Sequence, residues 1–219
     1  MPTIAEEIEV IDAGRGDTPP PPAGGDDDGS SGGGAAAVPQ RAYFTAISLG
    51  LAAILMFFMA LTSSYIVRKG LGGDWQSVRL PQILWFNTLV LLASSATIEV
   101  ARQRIAGVRP ASFGRWWALT TGLGIIFLVG QVQAWRQLAA AGVFLATNPA
   151  SSFFYLLTAA HGLHLLGGIV ALVYVAFRAG RAAAGSRITQ GTAAELAAIY
   201  WHFMDGLWVF LFLLLYLGR

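Results

Sequence analysis

Two histidine motifs lie inside long apolar segments in the C-terminal third of the chain. "AAHGLHLLGG" carries His161 and His164, and "YWHFMDGLW" carries His202 and Asp205. Each pair is spaced by three residues, so on a helix its two side chains share a face. Imidazole and carboxylate groups bind metal or haem iron, relay protons, or join helices by hydrogen bonds. These are the three chemistries that the sequence offers.

Two further polar residues belong with these motifs. Gln131 lies in an apolar segment and is interpreted as a hydrogen-bonding residue between helices. Glu195 precedes His202 by seven residues on nearly the same side of a helix, and it also forms a capping-box pattern with Thr192. The polar set inside the apolar segments is therefore His161, His164, Glu195, His202, Asp205 and Gln131.

Hydrogen bonding between helices explains this set with the fewest assumptions. An isolated carboxylate in hydrocarbon costs several kcal/mol, so Asp205 should face protein and be paired or protonated. The chain has no cysteine, and no carboxylate or sulfur set accompanies the histidines. We therefore favour a hydrogen bond between His202 and Asp205 over metal or haem ligation, and we predict no haem, copper or iron in this chain.

The composition places these residues in a membrane. The chain is 55% hydrophobic and 12% charged, and its apolar segments approach or exceed the 20 or so residues that cross a bilayer. The sequence predicts an all-α polytopic membrane protein, a bundle of five transmembrane helices near 42–67, 82–101, 114–138, 150–177 and 194–217. We expect helix starts at Pro81, at Ser112, at Asn148 with Pro149, and at Thr192 with Glu195.

The flanks of these segments indicate an orientation. Nine basic residues lie on the side of the N-terminus and five on the opposite side, which carries Arg219. Because positive charge favours the cytoplasmic side, we expect a cytoplasmic N-terminus and an external C-terminus. The fourth helix then descends while the fifth rises, and counting residues places His164 and Asp205 at similar depths, where they could meet. Gly167 and Gly168 nearby are predicted to permit close helix contact.

Residues 1–40 differ from the rest of the chain. They hold eight acidic residues and one basic residue, a net charge of −7, and they are rich in glycine, proline and aspartate. Such a segment has too little apolar surface to offset chain entropy on folding. We predict a disordered cytoplasmic tail at 1–40 and a five-helix transmembrane domain at 41–219.

The motifs resemble a known family. "SFFYLLTAAHGLHLLGGIVAL" (152–172) and "ELAAIYWHFMDGLWVFLFLLLYL" (195–217) are similar to the last two helices of cytochrome c oxidase subunit III. "NTLVLLASSATIEVA" (87–101) and "LGIIFLVGQVQAW" (123–135) resemble two earlier helices of that family. The resemblance covers 42–219 and fits the short bacterial form with five helices. The motif residues to which it assigns packing are Gly162, Gly167, Gly168, Tyr200, Trp201 and Trp208.

The resemblance implies a non-catalytic subunit of a terminal haem-copper oxidase in a bacterial plasma membrane. It implies haem and copper in partner subunits rather than in this chain. It also implies packing on the catalytic subunit, with subunits I and II as partners, bound phospholipids, support of proton uptake and enzyme stability, and no nucleic acid. Two carboxylates common in the family are missing, since Ile54 and Ala134 stand in their places. An accessory subunit of nitric oxide reductase and an independent haem-binding membrane protein are the alternatives.

Overall fold

The computed structural model describes residues 40–71, 73, 75–105, 110–181 and 187–218. The predicted tail at 1–40 falls almost wholly outside the described residues. The described part contains five long helices and no strand. They are α1 (Gln40–Leu71), α2 (Ile83–Ile105), α3 (Pro110–Ala140), α4 (Pro149–Arg181) and α5 (Arg187–Leu217).

All five helices are long and apolar enough to cross a membrane, as the sequence predicted. Five is an odd number, so α1 begins on one side of the membrane and α5 ends on the other. We call the side on which α1 begins the N side and the opposite side the C side.

Four helices form a closed bundle and one lies outside it. α2 packs against α3 and α5, and α4 packs against the same two helices, so the four surround a common interior. α1 contacts only α4 and α5 within the described residues. The bundle therefore provides the interior in which polar side chains are placed, and α1 leans on its outside.

Local signals set the ends of α3 and α4. Gly142 has a φ of +78°, a left-handed conformation that glycine adopts without strain. Its N–H donates to the carbonyl of Ala139 and that of Val143 to the carbonyl of Leu138, which closes α3 in a Schellman motif. The predicted start of α4 is confirmed, because Asn148 Oδ1 accepts from the N–H of Ser151 at 2.9 Å.

Three helices begin at other residues than predicted, α5 five residues away and α2 and α3 two residues away. α5 begins at Arg187, so Thr192 lies within the helix and the capping box of Thr192 and Glu195 does not exist. Polar residues before 194 suggested a loop, but a helix can continue past the membrane boundary into water. α3 begins at Pro110 instead of Ser112, in keeping with proline in a first turn. Pro81 precedes α2 and accepts from the N–H of Leu84.

Candidate functional site

Two tryptophans of α5 bind hydroxyl groups of α2. The indole N–H of Trp201 donates to Ser94 Oγ at 3.0 Å, and that of Trp208 donates to Thr88 Oγ1 at 3.1 Å. Both indoles are buried, so each polar N–H needs a partner inside the protein. A hydrogen bond between helices in hydrocarbon stabilises their contact, and these two bonds lie about two turns apart along the seam. They fix how α5 sits against α2.

The opposite seam, between α3 and α4, uses the same device. Trp135 donates to Thr158 Oγ1 at 3.0 Å, and Trp117 donates to the main-chain carbonyl of Leu172 at 2.8 Å. Thr97 of α2 and Thr120 of α3 share a further hydrogen bond of 2.8 Å. Two tryptophan N–H groups therefore join α5 to α2, and two join α3 to α4. The aromatic ring of each tryptophan packs in the same contact.

His161 lies in an aromatic cage in the interior. Its ring centroid is 5.9 Å from that of Phe127 and 5.1 Å from that of Trp208, and the residue is fully buried. Neither ring nitrogen hydrogen-bonds to a described residue. Gln131 is also buried, and its amide makes no hydrogen bond to a described residue. The predicted hydrogen bond of Gln131 to another helix is therefore wrong within the described residues.

His164 faces α1 instead of α5. Its Nδ1–H donates to the carbonyl of Ala160 in its own helix at 2.8 Å, and its ring packs against Phe57 and Phe58 of α1. The carbonyl of His164 accepts from the hydroxyl of Tyr200 at 2.8 Å. The expected meeting of His164 with Asp205 is wrong, because depth was predicted and the direction around the helix was not.

His202 binds α2 rather than Asp205. Ser95 Oγ and His202 Nδ1 lie 2.5 Å apart and share a hydrogen bond. The other ring nitrogen lies 3.8 Å from Glu99 Oε2. Glu99 is itself held by Arg102, whose Nε and Nη2 donate to its two oxygens at 3.0 and 2.8 Å. The ion pair of Glu99 and Arg102 is partly exposed, so it contributes little stability by itself.

Asp205 is buried near a hydroxyl group of α2. Its side chain is buried, lies beside the Ser95 hydroxyl, and makes no well-formed hydrogen bond to a described residue. The predicted hydrogen bond between His202 and Asp205 is therefore wrong. His202 and Asp205 share a face of α5, but the Nδ1 of His202 is hydrogen-bonded to Ser95 of α2 instead. Glu195, half-buried on α5, lies within electrostatic range of Arg102.

The motif glycines differ in what surrounds them. A Cβ added at Gly168 would lie 2.9 Å from Tyr200 Cε1, so glycine is required for α4 to approach α5 there. At Gly162 the nearest atom, in Leu128, would lie at an ordinary 3.8 Å, and at Gly167 nothing lies within 4 Å. Close contact was predicted for both Gly167 and Gly168, and in the described structure it holds only for Gly168.

The set is thus divided among separate environments. His161 lies in the aromatic interior, His164 faces α1, and His202 faces α2. No group of three or more His, Cys, Asp or Glu side chains in the described ranges is placed to share a metal ion. Of these three histidines, only His202 joins two described helices by a side-chain hydrogen bond, and most of the other hydrogen bonds between helices come from tryptophan, tyrosine and hydroxyl side chains.

The hydroxyl partners on α2 were not predicted from the sequence. The motifs pointed to Trp201 and Trp208, but not to Ser94 and Thr88, which accept hydrogen bonds from these indoles, nor to Ser95, which is hydrogen-bonded to His202. A signal was available, because the α2 hydroxyls at 88 and 94 are spaced by nearly the same distance as the α5 tryptophans at 201 and 208. Pairing two helices by matching such spacings would have identified this seam.

Similarity to known proteins extends over all five helices. A family model described as "Cytochrome c oxidase subunit III" matches residues 42–218. The chain is 36% identical over 181 residues to the probable cytochrome c oxidase subunit 3 of Mycobacterium tuberculosis (strain ATCC 25618 / H37Rv), covering 77% of this chain and 84% of that protein. It is 32% identical over 171 residues to cytochrome c oxidase subunit 3 of Synechocystis sp., covering 76% and 72%. For the Corynebacterium diphtheriae protein of the same name the values are 35%, 74% and 81%.

Proposed function

Because the chain belongs to the cytochrome c oxidase subunit III family, we propose that it is the non-catalytic subunit III of a terminal haem-copper oxidase in aerobic electron transport. The observation that carries this proposal is a family match spanning all five helices, 42–218. In this role the chain packs on the catalytic subunit, with oxidase subunits I and II as partners. Haem and copper lie in those partners and supply the electron-transfer and oxygen chemistry.

The residues of this chain contribute structure to that complex. The hydrogen bonds of Trp201, Trp208 and Tyr200 hold α5 against α2 and α4, so they keep the bundle in one shape. A rigid neighbour stabilises the catalytic subunit by binding its folded form in preference to its unfolded form. Support of proton uptake then follows from keeping the catalytic subunit intact, and no relay through this chain is needed.

A groove between α1 and α4 on the C side supports the lipid-holding part of the proposal. Its volume is about 660 Å³, and its lining combines a guanidinium, hydroxyl and amide groups with an aromatic ring. Guanidinium and hydroxyl groups at a membrane boundary suit a phosphate headgroup. The lining residues are Ser64, Arg68, Ala146, Thr147, Asn148, Pro149, Ser152 and Phe153.

The proposed location is the bacterial plasma membrane, with the N side cytoplasmic. The support is the excess of basic residues in the N-side flanks together with the bacterial relatives. The acidic segment at 1–40 would then lie in the cytoplasm.

Affinity purification tests the function. A tag on the chain should recover, from mild detergent, an oxygen-consuming complex that contains haem and copper subunits in equal amounts with the tagged chain. Recovery of the chain alone, or with a complex that reduces nitric oxide and not oxygen, would contradict the proposal.

Lipid analysis tests the groove. In the purified complex, Arg68→Gln should reduce the phospholipid that remains bound, whereas Arg136→Gln, an exposed arginine at the end of α3, should not. Equal lipid content in both variants would remove the groove from the proposal.

A further inference from the structure

A stripe of exposed residues runs along α5 between α1 and α2. Its members are spaced by three or four residues, the spacing of a helix face that packs against another helix. They are Ile199, His202, Gly206, Phe210, Leu213 and Leu217. α1 and α2 each contact α5 but not each other in the described residues, so they form the two walls of a groove floored by this stripe. We call it the α5 groove.

The C-side part of the α5 groove is a cavity of about 430 Å³ beside α1. Phe210, Leu213 and Leu217 line it from α5, and Tyr65, Ile66 and Lys69 line it from α1. Beyond it, the ring of Trp75 from the α1–α2 connection stands 5.2 Å from that of Tyr65. This part of the groove is apolar and has the dimensions of large side chains.

The middle of the groove is polar. The side chain of His202 is 40% exposed although the residue lies near the centre of the Gly191–Leu217 span. Its Nε2 stands 3.8 Å from Glu99 Oε2, beyond hydrogen-bond distance. Both oxygens of Glu99 already accept from Arg102, and Oε1 also accepts from Gln103. The Nε2 of His202 therefore retains capacity for another hydrogen-bond partner.

Hydrocarbon is a poor occupant for this position. Polar side chains within a membrane span face protein or water because their exposure to lipid tails is costly. The outer face of α4 shows the contrast, since Leu156, Leu163, Leu166 and Val170 are all exposed and apolar. That face suits lipid, whereas the α5 groove requires a partner with a polar group at the level of His202.

A glycine beside the histidine narrows the kind of partner. Gly206 is exposed, and a Cβ added there would meet no atom within 4 Å. A missing side chain at this point lets a second helix approach closely, as small residues do at helix contacts in membranes. A second copy of this chain fits less well. A twofold axis through the α5 groove would place His202 opposite His202 of the other copy and Arg102 opposite its Arg102.

We propose that a transmembrane helix of another oxidase subunit lies in the α5 groove, crossing at Gly206 and presenting a hydrogen-bonding side chain to His202. The proposal rests on the proposed function and adds to it the surface by which this chain docks. Phe210, Leu213 and Leu217 fill the apolar remainder of the contact.

Matched glycine substitutions test the surface. Gly206→Leu and Gly167→Leu each add a side chain where the described structure has open space, one in the groove and one on the exposed face of α4. Neither should disturb the fold of the chain. Gly206→Leu should lower the amount of the chain retained by the purified oxidase several-fold in a detergent titration, and Gly167→Leu should leave it unchanged. Equal retention of the two variants would overturn the proposal.

Photo-cross-linking identifies the occupant. The photoreactive amino acid p-benzoylphenylalanine is placed at Phe210 in the groove or at Leu163 on α4, and the purified oxidase is irradiated. The Phe210 position should attach to a peptide of another oxidase subunit, and the Leu163 position to lipid. A Phe210 product with lipid or with a second copy of this chain overturns the proposal. Absence of any oxidase subunit from the purified sample would instead show that the proposed function is wrong.

Discussion

α1 and the α2–α5 bundle differ in hydropathy and in burial, and the two differences run in opposite directions. α1 has the highest mean hydropathy of the five spans, yet only 6% of its most apolar window is buried inside the protein. In the four bundle helices that share is 33–50%. Within a membrane, apolar surface gains nothing by leaving lipid, so packing depends on small residues and on hydrogen bonds. The bundle has Trp–hydroxyl pairs, and α1 contributes mainly apolar contacts.

Truncation of a buried tryptophan should separate the two regions most strongly. Trp201 is fully buried and donates to Ser94, so Trp201→Ala should lower stability by about 3–5 kcal/mol. Met56 of α1 is 68% exposed, and Met56→Ala should change it by less than about 0.5 kcal/mol. Thermal unfolding of the chain in detergent micelles measures both. Similar losses for the two variants would show that α1 is packed as tightly as the bundle.

Adding a methyl group to selected glycines should give the next largest difference. Gly168→Ala brings a Cβ to 2.9 Å from Tyr200 Cε1, and the resulting strain should cost about 1–3 kcal/mol. Gly50→Ala in α1 and Gly167→Ala in α4 meet open space. Because alanine favours a helix over glycine, these two should be neutral or stabilising by up to about 1 kcal/mol. Unfolding midpoints in a denaturing detergent give the comparison. A neutral Gly168→Ala would show that α4 and α5 have room for a methyl group at this position.

A smaller effect should come from the end of the bundle. Asn148 caps α4, with its side chain accepting from Ser151 N–H and its own N–H donating to Ser151 Oγ at 3.2 Å. Asn148→Ala should cost about 1 kcal/mol, and Asn148→Asp, which retains the acceptor, should cost a few tenths at most. Hydrogen exchange of the first turn of α4 reports the change locally. Equal exchange in both variants would mean that the cap contributes nothing.

The sequence predicted the helices better than it predicted their neighbours. Apolar length identified all five spans, and Asn148 marked a start correctly, because these features depend on one segment and on the bilayer. Extension of α5 back to Arg187 was missed because polar residues before 194 look like a loop.

The polar site was predicted by residue and not by partner. His202 and Asp205 share a helix face, yet the hydrogen bond of His202 goes to Ser95 on another helix. Spacing along one helix gives the relative direction of two side chains, but the rotation of the neighbouring helix decides what each one meets. That rotation depends on the packing of Trp201 and Trp208, whose hydroxyl partners lie more than 100 residues earlier in the chain.

The central claim is that the polar residues inside the bundle have structural roles and take no part in the reaction, and Asp205→Asn in the assembled oxidase tests it most directly. Asp205 is 3% exposed and beside Ser95, and asparagine keeps its shape while removing its capacity to carry charge. We expect normal subunit content, normal oxygen consumption and an unchanged number of protons taken up per electron, measured in reconstituted vesicles. A variant that assembles normally but loses proton uptake would contradict the claim and assign the carboxylate a function of its own.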